Sequence, residues 1–198
     1  MAELILMDGK KEEEILSEVD QDICRYIAEN RDEIYDDILA KENRWKVFYH
    51  FSEMRTSILN WYDFGKNTSV LEVGGGFGAI TGMLCSHVKN VTVVERLVRR
   101  AEAISLRYRN RENLTIYAGE AEKLDFLNQF DYVIITGSAC NGENGILPER
   151  MLEQYVSMAK SWLNESGILL LAVDNFHGAK YQCGYPRPIA GSMNENAC

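Results

Sequence analysis

At residues 70–82 the chain reads VLEVGGGFGAITG: a short apolar run breaks into Gly74, Gly75, Gly76 and Gly78, then resumes in a helix-like pattern. A strand that turns into a helix through glycines brings the main chain close to whatever binds there. Glycine adopts backbone angles that other residues avoid, and it has no side chain to hold a ligand away. The same alternation continues along the chain. Ser69–Val73, Val91–Glu95, Leu114–Tyr117, Asp131–Thr136 and Gly167–Val173 read as strands. Ala79–Val88, Leu97–Tyr108 and Pro148–Leu163 read as helices, the last opened by its proline.

Short apolar strands separated by helices predict an α/β fold, a Rossmann-like, doubly wound, mostly parallel sheet with helices on both faces. In such sheets ligands sit beyond the carboxyl ends of the strands, where the strand order reverses. A chain of 198 residues holds one such domain and an appendage. Residues 11–64 supply the appendage as helices. Ile15, Val19, Ile23 and Ile27 recur every four positions, with Leu16 and Tyr26 widening the stripe; Ile34, Ile38 and Leu39 mark a second short helix, and Val47 to Trp61 a third. The predicted division is an N-terminal helical cap over residues 1–66 and a Rossmann-like domain over 67–198. Only 25 residues follow Val173, and 185–191 read as loop. The fifth strand is therefore expected to be an apolar edge for a second subunit or the remainder of a longer chain to cover.

No apolar run approaches the ~20 residues that cross a bilayer. The run Leu4-Ile5-Leu6-Met7 follows an acid, without the basic start of a signal peptide, so a cytoplasmic protein is expected. Cys24, Cys85, Cys140, Cys183 and Cys198 are scattered, without metal-ligand spacing, and read as free thiols. The net charge is -9, and residues 1–45 hold most of it, with 14 acids against 6 bases for a balance of -8. That balance disfavours nucleic acid as a partner. Arg96, Arg99, Arg100, Arg107, Arg109 and Arg111 are the exception, expected as a solvated helix face beside Glu102 and Glu112.

Two kinds of cofactor suit the glycine turn. Gly74, Gly76 and Ala79 fit the dinucleotide spacing G-x-G-x-x-G/A, and Glu95, 21 positions after Gly74, stands where a carboxylate holds ribose hydroxyls. An NAD(P)-binding oxidoreductase is one reading. Glu72 opposes it, because like charges ~6 Å apart at an effective dielectric of ~20 repel by roughly 3 kcal/mol. A carboxylate just ahead of the glycines disfavours a pyrophosphate and suits a cation.

Glu72-Val73-Gly74-Gly75-Gly76-Phe77-Gly78 resembles the first motif of the class I S-adenosylmethionine-dependent methyltransferases, an acid followed after one residue by Gly-x-Gly-x-Gly. The resemblance extends over residues 69–173, and because the family completes its sheet with a helix and two more strands, it implies a sheet that lacks the last strands here. It implies S-adenosylmethionine as cofactor and S-adenosylhomocysteine as product, with Glu95 and the adjacent Arg96 at the ribose, and Gly119, Glu120 and Ala121 at the adenine. Thr136 and Gly137 would stand near the methyl group, and Glu72, Gly74, Gly75, Gly76 and Gly78 would form the floor. Residues 49–55 (YHFSEMR) and 174–184 (DNFHGAKYQCG) are similar to a bacterial branch associated with glycosyltransferases, although Phe176 stands where that branch has arginine. The resemblance implies methyl transfer to a hydroxyl or amine of a small or sugar-like acceptor. A non-catalytic cofactor-binding partner subunit is the alternative from another class.

Methyl transfer is an in-line displacement, so holding the acceptor at roughly 3 Å supplies much of the catalysis. A base is needed only for an acceptor that must lose a proton. His50, Asp174, His177 and Tyr181 are the candidates. Asp174-Asn175 resembles a metal-binding pair of some O-methyltransferases, yet Thr136-Gly137-Ser138 offers no further acid and the oxygen set is incomplete, so no metal is expected.

Overall fold

The computed structural model describes residues 1–7, 16–127, 129–136, 149–172 and 179–183. Among these, six strands form one sheet in the order β1-β4-β3-β2-β5-β6: β1 Glu3–Leu6, β2 Ser69–Val73, β3 Asn90–Glu95, β4 Leu114–Ala118, β5 Phe130–Thr136 and β6 Leu163–Ala172. Every pairing is parallel. From β2 the chain steps outward to β3 and β4, then crosses back to β5 and β6 on the other side. The strand order therefore reverses at β2, and the crevice beyond its carboxyl end receives the glycine turn.

The helices are α1 Glu18–Glu29, α2 Asp36–Leu39, α3 Trp45–Phe51, α4 Thr81–His87, α5 Val98–Arg107, α6 Glu149–Trp162 and α7 Ala179–Gln182. Successive residues of β2 point to opposite faces. Val70 packs with Ile80 and Leu84 near and in α4 and with Ala101 and Ile104 of α5. Leu71 and Val73 pack with Val133 and Ile135 of β5 and with Ala159 and Trp162 of α6. A third layer forms over α5, where Ile23 and Ile27 of α1, Tyr35, and Val47 and Phe51 of α3 close around Phe77 and Ala103. Full burial of one such side chain contributes about 1.5–3 kcal/mol, so this layer holds the N-terminal helices firmly on the domain.

Three elements differ from expectation. Strand β1 was read only as a run unlike a signal peptide; its four residues are too few to show a period, and pairing with β4 makes the strand, with Leu4 opposite Ile116 and Leu6 opposite Ala118. The third helix does not run from Val47 to Trp61. It ends at Phe51, and the Ser52 hydroxyl accepts from the Met54 amide to start a separate 3-10 turn over Glu53–Ile58. Helix α6 passes directly into β6, which is longer than predicted because Leu163 pairs with Phe130 ahead of an irregularity and Asn164 donates to Asp131 at 2.6 Å. The far side of β6 has no strand partner among the described residues, and Ile168 and Leu171 are exposed there.

The arginine cluster also needs correction. Arg99 lies within 4.0 Å of Glu102, as a solvated face requires, but four of the others turn inward. Arg100 pairs with Asp20 at 2.8 Å and Arg111 with Glu33 at 3.0 Å, while Arg109 donates to the Asn30 carbonyl and Arg107 is buried. The acidic N-terminal segment and the basic end of α5 are thus two halves of one intramolecular interface. Cys24, Cys85 and Cys183 are free thiols. Among the described residues no helix is long and apolar enough to cross a membrane.

Candidate functional site

Gly74, Gly76 and Gly78 have φ of +77°, +59° and +78°, a left-handed region that costs other residues about 1 kcal/mol or more. The turn is stitched by the Gly74 amide to the Val94 carbonyl and the Gly78 amide to the Gly75 carbonyl, both at 2.8 Å. Gly75 is required for a different reason: a Cβ there would lie 2.5 Å from Val93 Cγ1 and 3.1 Å from Ile104 Cδ1. Phe77 points away from the crevice and is fully buried in the layer formed by α1 and α3. The one large residue among the glycines anchors the turn to the N-terminal helices.

Glu72 lies under the turn and accepts the Thr81 hydroxyl at 2.7 Å. Burial pushes its carboxyl up to about 7, with the neighbouring Glu95 charge adding to the rise and Thr81 opposing it. Glu72 therefore carries only part of a negative charge at neutral pH, and the repulsion reasoned from the sequence is correspondingly weaker. Glu95 closes β3 and binds main chain with both oxygens, taking the Gly76 amide at 2.7 Å and the Leu97 amide at 3.0 Å. Burial raises its carboxyl above the ordinary range, against the pull of those two amides. Glu120 stands apart from this pair, exposed and bonded to Lys123 at 2.7 Å. The acids at the turn are two.

The N-terminal helices complete the crevice. Tyr49, His50 and Arg55 face Glu72, Gly74, Gly75, Gly76 and Thr136 across one small cleft. The Arg55 guanidinium lies 4.6 Å from the Tyr49 ring centre. His50 meets the Phe77 ring edge-on at 4.9 Å and the Tyr49 ring at 5.0 Å. Its Nδ1 is buried and has no hydrogen-bond partner among the described residues. Burial first, and then the charges of Arg100, Lys46 and Arg107, hold the imidazole down at about 3, so it is neutral at physiological pH. A neutral imidazole accepts a hydrogen bond but is a weak proton acceptor.

Of the residues singled out from the sequence, the cleft brings together His50, Glu72, Gly74, Gly75, Gly76 and Thr136, with Glu95 one hydrogen bond away at Gly76. Gly78 serves the turn from behind. Arg96 is exposed beside Glu95, and Ala121 is buried against the second core face. Gly119 is covered by Met7, which follows β1: a Cβ on Gly119 would lie 2.7 Å from the Met7 sulfur. Gly137, Asp174 and His177 lie outside the described residues, as does the Tyr181 side chain. Tyr49, Arg55 and Thr81 join the site without having been singled out. Tyr49 and Arg55 flank His50 in the YHFSEMR segment, a signal that was available, whereas the Thr81 role depends on a contact across the turn.

Residues 28–158, well over half of the chain, match the family described as nodulation protein S (NodS). This chain belongs to the NodS family. That family is one of S-adenosylmethionine-dependent methyltransferases, and the Rossmann-like methyltransferase fold expected of this NodS-family chain is the fold observed. The chain is 29% identical over 152 residues to ribosomal RNA small subunit methyltransferase A of Fusobacterium nucleatum, covering 68% of this chain and 57% of that protein. The same-named protein of Malacoplasma penetrans is 26% identical over 130 residues, 66% of this chain and 43% of its own length. The NodS-family chain thus spans about half the length of these curated relatives. Phosphoethanolamine N-methyltransferase 1 of Haemonchus contortus, solved with phosphoethanolamine and S-adenosylhomocysteine, superposes with a TM-score of 0.57 at 18% identity over 78% of this chain and 31% of that one, a likeness of fold.

Proposed function

We propose that this protein transfers the methyl group of S-adenosylmethionine to a hydroxyl or amine of a small, sugar-like acceptor. One observation carries the reading: at the strand-order reversal, the glycine turn and Glu72, with Glu95 bonded behind them to Gly76, face a neutral histidine and an arginine supplied by the N-terminal helices. When bound, the cofactor supplies an electrophilic methyl group on a sulfonium. Glu95 is suited to the ribose hydroxyls, Gly119 to Ala121 to the adenine, and Arg55 to the carboxylate, for which a guanidinium is a geometric match. Glu72 faces the cationic part, and its proton leaves as that charge arrives. Thr136 borders the methyl position, a role that the family resemblance gives to Gly137 as well. His50 accepts a hydrogen bond from the acceptor and orients it, and Asp174, His177 and Tyr181 remain candidates for a base.

Ribosomal RNA is the second reading, favoured by the names of the relatives. The arginines in and just after α5 speak for the small acceptor, because Arg100, Arg107, Arg109 and Arg111 are engaged within the chain rather than offered to phosphates. A donor with a labelled methyl group, supplied with amino and hydroxyl sugars, phosphoethanolamine and ribosomal RNA in parallel, tests it. Label in a small acceptor is expected. Label in RNA alone transfers the assignment to the second reading, and cofactor binding without transfer to any acceptor supports a non-catalytic partner subunit.

A further inference from the structure

The geometry points to Arg107 as a positioning residue that locks the glycine turn and His50 into one rigid unit, so that the floor and the acceptor wall of the site keep a fixed separation. This rests on the methyltransferase reading for its purpose, though not for its geometry. Arg107 ends α5 and is 8% exposed. Its Nη1 donates to two carbonyls at 2.9 Å each: His50, near the end of α3, and Phe77, inside the glycine turn. The next residue, Tyr108, donates its hydroxyl to the Gly78 carbonyl at 2.6 Å. The end of α5 therefore grips two successive carbonyls of the turn, and through Arg107 the same grip reaches the cleft wall.

The surroundings suit a guanidinium. The rings of Tyr35, Phe51 and Tyr108 lie 4.8, 5.3 and 5.3 Å from its central carbon. A planar cation stacks its faces on aromatic rings while its edge donates, which a lysine ammonium cannot do. No carboxylate pairs with Arg107 among the described residues, so its charge is offset by carbonyl dipoles and ring faces alone. A leucine or methionine would fill such a space without burying a charge. What only arginine supplies is the bridge between two segments 27 positions apart, His50 and Phe77.

The test compares Arg107→Met and Arg107→Lys with the parent chain, reading S-adenosylhomocysteine affinity by calorimetry and His50 protonation by NMR. Lys46, Arg100 and Asp20, the other charges acting on His50, stay in place. The folded methionine variant is expected to bind at least tenfold more weakly and to let the His50 signal, distinguished from those of His87 and His177, titrate at a higher pH than in the parent. The lysine variant, charged but unable to stack, is expected to remain at least threefold weakened. A folded methionine variant with affinity within twofold of the parent and an unshifted His50 overturns the proposal. Should that variant not fold, hydrogen exchange on the parent decides: the Gly76, Gly78 and Ser52 amides are expected to open together, and tenfold faster exchange at the two glycines than at Ser52 overturns the lock. Failure of the parent to bind the cofactor or its product removes the methyltransferase reading, while the histidine titration and exchange still judge Arg107.

Discussion

Glu72 takes the Thr81 hydroxyl at 2.7 Å beneath the glycine turn, and both residues are closed off from solvent. The carboxyl is raised to about 7 from an ordinary 4.5, so between those values the unfolded chain loses a proton that the folded chain keeps. Stability therefore falls as pH rises from 4.5 to 7 and is flat beyond, a loss of about 3 kcal/mol. Glu72→Gln removes the charge and keeps an acceptor for Thr81. The variant is expected to match the parent near pH 4.5 and to exceed it by about 3 kcal/mol at pH 8, measured by urea unfolding at both pH values.

The same carboxyl governs ligand charge. A cationic donor favours ionised Glu72, so binding of S-adenosylmethionine releases a proton and tightens as pH rises from 6 to 8, by as much as tenfold per pH unit below 7. S-Adenosylhomocysteine, without the sulfonium, is expected to show a shallower slope, and Glu72→Gln none from this group. Calorimetry in two buffers of different ionisation enthalpy checks the proton count directly.

Gly78 has φ +78°, and a Cβ on it would stand 2.7 Å from Tyr108 Cε2. Gly78→Ala must strain the backbone and displace the ring that holds the turn. A loss of about 2–4 kcal/mol is expected, the sum of a left-handed alanine and an overpacked contact. Thermal unfolding of the two chains measures it.

Asp20 joins three helices, forming an ion pair with Lys46 of α3 at 2.7 Å and accepting from Arg100 of α5 at 2.8 Å. Burial pushes its carboxyl up, but the hydrogen bonds to Lys46 and Arg100 prevail and hold it below its ordinary value. Its contribution is complete above pH 4 and is lost as pH falls through the lowered folded value. Asp20→Ala is expected to cost about 2 kcal/mol at pH 7, less than a fully buried pair because both cations keep some solvent. The difference from the parent should shrink in unfolding curves taken at pH 3.

Strands β2 to β5 were legible because central parallel strands, covered on both faces, appear as short apolar runs between helices. Strand β1 was not, since four residues show no period and its partner lies over 100 positions away at β4. The glycine turn and Glu95 were readable from spacing alone. The charge state of Glu72 was not, because a carboxylate in the sequence does not disclose that it is buried under a turn. The arginines were misassigned for a similar reason: their partners Asp20, Asn30 and Glu33 lie about 80 positions earlier, and helix spacing reveals only near neighbours. His50 was legible as a candidate from its expected place near the mouth of the site, but its neutrality and the bond from Arg107 to its carbonyl belong to the packed structure.

Titration calorimetry of the parent chain with S-adenosylmethionine, S-adenosylhomocysteine and a nicotinamide dinucleotide tests the cofactor assignment most directly. One-site binding of the methyl donor and its product, abolished by Gly76→Val and with no heat from the dinucleotide, is the predicted result. Binding of the dinucleotide with no heat from either adenosyl ligand would contradict it and make VLEVGGGFGAITG the turn of an oxidoreductase.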